Sequence, residues 1–287
     1  MFSVSSMRFS FRAYPLTWFF VIAYSASWLA WSPLTLAALG LVKGSPPPYL
    51  HLLGGLGPML AAVLVTWWAG GRPALRRLRD RSLTLRGRAR WVAIAFLLPA
   101  ALFAASLLVL YVFDASPVRW NRIGMSTEYP EMPPAVFWLA NVVFYGFGEE
   151  VGWRGFALPR IQARRSALSS ALLLGLAWAG WHLPLFTFSE GLSRLGIGGT
   201  VGWMMSMLTG SVLMAWFFNS SRGSVLAVAT FHGVLDIFMT SPVVPRIATA
   251  MGAILTIGTV ALVPLFGPTH LARHARTIEE LPEQASC

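Results

Sequence analysis

The chain reads as eight long apolar runs separated by short polar connections, with the runs starting near Pro15, Tyr49, Trp91, Pro134, Leu168, Val201, Val225 and Ile247. Most approach the roughly 20 residues that carry a helix across a hydrocarbon core. None alternates residue by residue as a barrel strand would, and lipid offers the backbone no hydrogen bonds, so each run is expected to be a helix. The pattern predicts an all-α, polytopic membrane bundle of about eight transmembrane helices. The first run follows Arg8 and Arg12 as a secretory signal might, but its apolar part continues for about 25 residues, beyond the roughly 7–15 of such a signal. It is therefore expected to be a retained helix.

The connections "KGSPPP", "TEYPEMPP" and "NSSRGS" are rich in Pro, Gly and Ser. With no long hydrophilic stretch and no internal repeat, residues 1–287 are expected to form a single integral membrane domain. The chemistry concentrates in residues 135–240, and 268–287 is expected to be a mobile cytoplasmic tail.

Composition agrees with the pattern: 56% of the 287 residues are hydrophobic and 11% are charged, against about 25% charged in an average soluble chain. The net charge of +11 changes the picture only through its distribution. The stretch "GRPALRRLRDRSLTLRGRAR" between the second and third runs holds eight arginines against Asp80, which the positive-inside rule places in the cytoplasm. Threading eight spans from that anchor puts Arg8, Arg12, Arg160, Arg164, Arg165, Arg222, Arg273 and Arg276 on the same side. Lys43, Arg119, Arg122, Arg194 and Arg246 are left outside, and both termini are expected in the cytoplasm. The basic stretch then serves orientation and attraction to anionic headgroups of the lipid bilayer rather than nucleic acid. The single cysteine, Cys287, allows neither a disulfide nor a cysteine metal site, and it stands last, so "QASC" is not a prenylation box.

Against this apolar background, Glu149, Glu150, His182, His232 and Asp236 fall within or at the edge of spans. A charged side chain at the bilayer centre costs roughly 2.5–3.5 kcal/mol even on lenient scales, so such residues usually face a polar interior and serve a function. Residues four apart share a helical face. Glu150 and Arg154 form such a pair on the fourth span, which leaves Glu149 about 100° round the helix for other work. His232 and Asp236 share a face on the seventh span. Trp178 and His182 share one on the fifth, just before Pro184, which should loosen the backbone there. Trp153, Trp178 and Trp181 read as packing or interfacial aromatics.

Three motifs stand in order on separate spans: "EEVGWR" at 149–154, "WAGWH" at 178–182 and "HGVLD" at 232–236. In order and spacing they resemble Glu-Glu-x-x-x-Arg, Phe-x-x-x-His and His-x-x-x-Asn/Asp of the CPBP intramembrane endopeptidases, also called the CAAX prenyl protease type 2 or Abi family. The departures are Trp178 in place of phenylalanine, which keeps an aromatic wall, and Asp236 where many members have asparagine. An ionised aspartate would repel a developing oxyanion, so Asp236 is left with three roles: protonated donor, orienter of His232, or metal ligand.

The resemblance implies a membrane-embedded peptidase acting on a membrane-associated peptide or protein substrate. Glu149 would be the general base, His182 would hold and polarise the water, and His232 and Asp236 would lie near the oxyanion, with Glu150, Arg154 and Trp178 as structural support. Water and substrate would enter from the cytoplasmic half of the bilayer. No cofactor is required on that route. Zinc remains possible, with Glu149, Glu150, His182 and His232 as candidate ligands, although the His-Glu-x-x-His signature is absent. Two rival readings are a proton-coupled transporter, disfavoured by the missing repeat, and a non-proteolytic membrane binding or immunity factor.

Overall fold

The computed structural model describes residues 4–114 and 117–279. Among them there is no strand, and every predicted apolar run is helical. Five helices are long and apolar enough to cross a membrane: the first (Pro15–Ala38), second (Gly57–Leu83, preceded by the turn Leu50–Gly54), third (Ala89–Asp114), sixth (Ile197–Ser220) and eighth spans (Ile247–Phe266). The fifth (Ala167–Trp181) and seventh (Val225–Thr240) are apolar but shorter. The fourth occupies 134–162 and is continuous but not regular. A short basic helix, Val4–Ala13, precedes the first span.

The arginine-rich stretch that connects the second and third runs is largely helix. The second span bends at Gly71, whose φ of 62° leaves the helical region, and then runs on to Leu83. Pro73 explains the bend: a proline clashes with the carbonyl four residues earlier and cannot bond to it. That carbonyl, on Ala69, instead accepts from Arg12 Nε at 2.7 Å.

The fourth span lies at the centre, against the second span on one side and the seventh on the other. The third span packs on the seventh and eighth, and the fifth on the sixth. Small residues allow the central approach. A Cβ on Gly152 would stand 2.5 Å from the Pro58 carbonyl oxygen, and one on Gly233 would stand 2.8 Å from Val142 Cα. Every residue from Gly148 to Pro159 is buried. Two π-helical stretches, Asn141–Phe147 and Trp153–Ala157, flank the glutamates; such local widenings often occur at functional sites.

The fifth and seventh spans begin with serine caps, Ser166 and Ser224, which accept from Ser169 N and Ala227 N. With 15 and 16 residues at ~1.5 Å each they reach about 22–24 Å, short of a hydrocarbon core of ~30 Å. The seventh carries His232, and His182 caps the C-terminal end of the fifth. Trp28 Nε1 ties the first span to the fifth by donating to the Trp181 carbonyl at 2.9 Å.

The expectation of a mobile tail does not hold for residues 268–279. The carbonyls of Pro268 and Thr269 accept from the amides of Leu168 and Ala167, both at 3.0 Å, so this segment satisfies donors that the start of the fifth span cannot bond internally. Leu271 is fully buried, Gln162 Nε2 donates to the Thr277 carbonyl at 2.6 Å, and Glu279 pairs with Arg81 and Arg160. The segment is a strap across the ends of four spans. The rest of the expected tail, including Cys287, lies outside the described residues.

Candidate active site

The fourth span delivers Glu149 and Glu150 on adjacent positions into different surroundings. Glu150 is fully buried. Its Oε1 accepts from Arg154 Nη1 at 2.8 Å, one turn along the same helix, and from His232 Nδ1 at 2.9 Å, across from the seventh span. The ring's other nitrogen, His232 Nε2, lies 3.5 Å from Asp236 Oδ2. The imidazole therefore stands between a carboxylate from the fourth span and one from its own helix.

Glu149, 3% exposed, turns instead to the fifth span, where Trp178 Nε1 donates to its Oε2 at 2.6 Å. The Trp178 carbonyl accepts from His182 Nδ1 at 2.7 Å, which fixes Nε2 as the unprotonated nitrogen of a neutral ring. The Trp178 ring meets the His232 ring edge-on at 5.4 Å, and the Arg154 guanidinium lies 4.8 Å over it. Trp178 is thus the hub joining Glu149, Arg154, His182 and His232, where the sequence suggested a packing aromatic. The indole N–H, a donor that phenylalanine lacks, was the available signal.

All seven predicted residues are therefore in one place. The direct pairs are Glu150–Arg154, Glu150–His232, His232–Asp236 and Glu149–Trp178, while Glu149 and His182 are linked through Trp178 rather than to each other. Glu150 Oε2 and Arg154 Nε and Nη2 are buried without a protein partner, a state that buried polar atoms usually resolve with water or a ligand. The candidate zinc ligands do not form a metal centre as arranged. Among the described residues no three His, Cys, Asp or Glu side chains converge on a metal-sized site, although the Nδ1 contacts of His182 and His232 with a carbonyl and with Glu150 leave each Nε2 as the nitrogen that would face a ligand.

The cluster is more enclosed on one side than on the other. Toward the arginine-rich end, Arg154, Trp153 and Phe156 close it. The accessible members are His182, at the far end of the fifth span, and Asp236, whose side chain is 28% exposed. Beyond that edge is a second polar group that sequence reading missed. His51 Nδ1 donates to Glu128 Oε1 at 2.6 Å, Tyr129 donates its hydroxyl to the same oxygen at 3.1 Å, and the His51 ring packs 5.6 Å from Tyr145, one turn before Glu149. Burial, and then the charge of Glu128, push the Tyr129 phenol above its ordinary range. No local pattern links residues so far apart in sequence.

A bundle of apolar helices enclosing paired carboxylates, two histidines and an arginine defines a polytopic membrane protein with a buried polar centre. Residues 131–238, which contain all seven site residues, match the family model described as "Type II CAAX prenyl endopeptidase Rce1-like". CAAX prenyl protease 2 of Methanococcus maripaludis is 25% identical over 150 residues, 51% of this chain and 54% of that protein. The likeness to this family of peptidases is confined to the central part of the chain, and the match spans about half the length of that relative.

Proposed function

We propose that the protein is an intramembrane endopeptidase that hydrolyses peptide bonds of a membrane-associated peptide or protein with water activated by Glu149. The observation that carries this reading is a nearly fully buried glutamate, held by one indole N–H and set beside a second glutamate already neutralised by arginine. Glu150 and Arg154 form the brace, and Glu149 keeps one oxygen for the reaction.

In the proposed reaction Glu149 takes a proton from water as the water oxygen bonds to the scissile carbonyl carbon. The negative charge passes to the carbonyl oxygen, where His232 provides donor capacity. Collapse of this intermediate breaks the C–N bond, and the proton held on Glu149 goes to the leaving amine. His182, with Nδ1 tied to a carbonyl, offers Nε2 as an acceptor to orient the water. Glu150 already orients the His232 ring through Nδ1, so the 3.5 Å approach of Asp236 to Nε2, the nitrogen that would serve the oxyanion, supports the protonated-donor role among the three open to Asp236. The name of the archaeal relative makes a prenylated C-terminal peptide one substrate to test, beside unmodified membrane peptides. The arginine distribution supports a cell-membrane orientation with both termini in the cytoplasm.

The test is cleavage of a fluorogenic membrane-peptide library by the purified protein and by Glu149→Gln, each with and without a strong chelator. Glu149→Gln keeps an acceptor for Trp178, so the fold should persist while the rate falls about 10²–10⁴-fold, the range for losing a general base. Retained cleavage in that variant would remove Glu149 from the mechanism, and chelator sensitivity restored by zinc would replace it with metal chemistry.

A further inference from the structure

The basic end of the bundle holds a pocket of about 300 Å³ outside the polar centre, lined by Arg86, Arg88, Arg90, Trp91, Ser221 and Arg222. Three elements bring these residues together: the turn before the third span, the start of that span, and the tight turn between the sixth and seventh. No acid lines the pocket. Among the described residues the acids of this end are Asp80, paired with Arg79 at 2.7 Å, and Glu279, paired with Arg81 and Arg160. The four pocket arginines have no ion-pair partner among the described residues.

The pocket is also built rather than merely exposed. Arg88 is part-buried and reaches the carbonyls of Arg81 and Arg222 at 3.3 and 3.5 Å. Arg222 holds a left-handed backbone, φ 54°, which a non-glycine residue adopts only when its surroundings enforce it. Here its amide donates to the Asn219 carbonyl, and Asn219 is fixed in turn by Gln162 and the His270 carbonyl. Trp91 forms a stiff wall, edge-on to Trp216 and Phe217 at 5.8 and 5.4 Å, and tryptophan at a helix end marks headgroup depth. Burial, and then neighbouring Arg81, push the Arg88 guanidinium below its ordinary range, so an anion here would relieve an existing repulsion.

We propose that this pocket binds a phosphate-bearing anion at the membrane surface. Planar guanidiniums grip phosphate through pairs of N–H donors, and arginines converging from three elements suit a group with several acceptor oxygens better than a carboxylate with two.

The experiment uses the full chain in an uncharged detergent, with binding of dihexanoyl phosphatidic acid, dihexanoyl phosphatidylcholine and inorganic phosphate followed by native mass spectrometry and calorimetry. Arg88→Gln/Arg222→Gly removes two pocket charges, and glycine accepts the backbone at 222. Arg164→Gln/Arg165→Gln removes two exposed charges from the same end. The expected result is selective binding of phosphatidic acid over phosphatidylcholine, weakened about thirtyfold in the pocket variant, unchanged in the control variant, and reduced by added salt. Competition by inorganic phosphate at similar concentration would identify a free phosphate as sufficient, and failure to compete would identify a lipid headgroup. Equal loss in both variants, or no preference over phosphatidylcholine, would overturn the proposal. A shared thermal unfolding midpoint across the three proteins establishes that binding, not folding, is being compared.

Discussion

The third and fourth spans look alike as apolar runs, yet the molecule uses them oppositely. Along the third, Leu108 and Phe113 remain 64% and 84% exposed, and the helix turns much of its surface to lipid. Along the fourth, every residue from Gly148 to Pro159 is enclosed by other helices. Lipid tails are as apolar as leucine, so membrane helices do not associate by escaping their solvent. What draws the fourth span inward is close packing at glycine and polar groups that need partners. The third has neither a glycine nor a charged residue between Trp91 and Phe113.

The comparison is sharpest where charge is buried. Arg154→Met would leave Glu150 charged, fully enclosed and reduced to its contact with His232, and breaking a buried pair from one side costs about 3–5 kcal/mol. Equilibrium unfolding in mixed micelles should show that loss. The double variant Glu150→Gln/Arg154→Met should recover most of it, because glutamine still accepts from His232 and no charge is stranded. If Arg154→Met alone matched the parent, the pair would not be the brace of the fourth span.

Packing gives the next effect. Gly152→Ala would place a Cβ 2.5 Å from both the Pro58 Cβ and its carbonyl oxygen, so the second and fourth spans must separate. Overpacking of this kind costs about 1–3 kcal/mol. The same unfolding measurement reads it, and an unshifted midpoint would mean that the helices are free to slide. Such an outcome would blunt the contrast with the third span.

These residues also show where the sequence was legible. The eight apolar runs carried the helices because length and continuity are local properties, and the i,i+4 rule found Glu150–Arg154 because one helical turn is local too. Glycines at 146, 148, 152 and 155 hinted at close approach, but not at which helix approaches. The Trp178–Glu149 bond, the His51–Glu128 pair and the strap of residues 268–279 join side chains or backbone groups from distant positions, and no periodicity encodes those meetings. The strap was misjudged for a further reason: its polar composition resembles a solvated tail, whereas its carbonyls and Glu279 are what the helix ends and arginines needed. The π-helical widening around the glutamates has no sequence signature beyond glycine content.

The smallest effect belongs to the lipid-facing side of the comparison. Leu108→Ala on the third span removes a side chain whose surroundings are hydrocarbon in the folded protein and remain hydrocarbon when the helices separate. Little transfer free energy is at stake and no cavity opens inside the bundle, so the unfolding midpoint should shift by less than about 0.5 kcal/mol equivalent. A loss of 2 kcal/mol or more, in the ~2–5 kcal/mol range of a buried leucine truncation, would mean that Leu108 meets protein. The third span would then have a second partner face, and its difference from the fourth would lie in the chemistry of the contact alone.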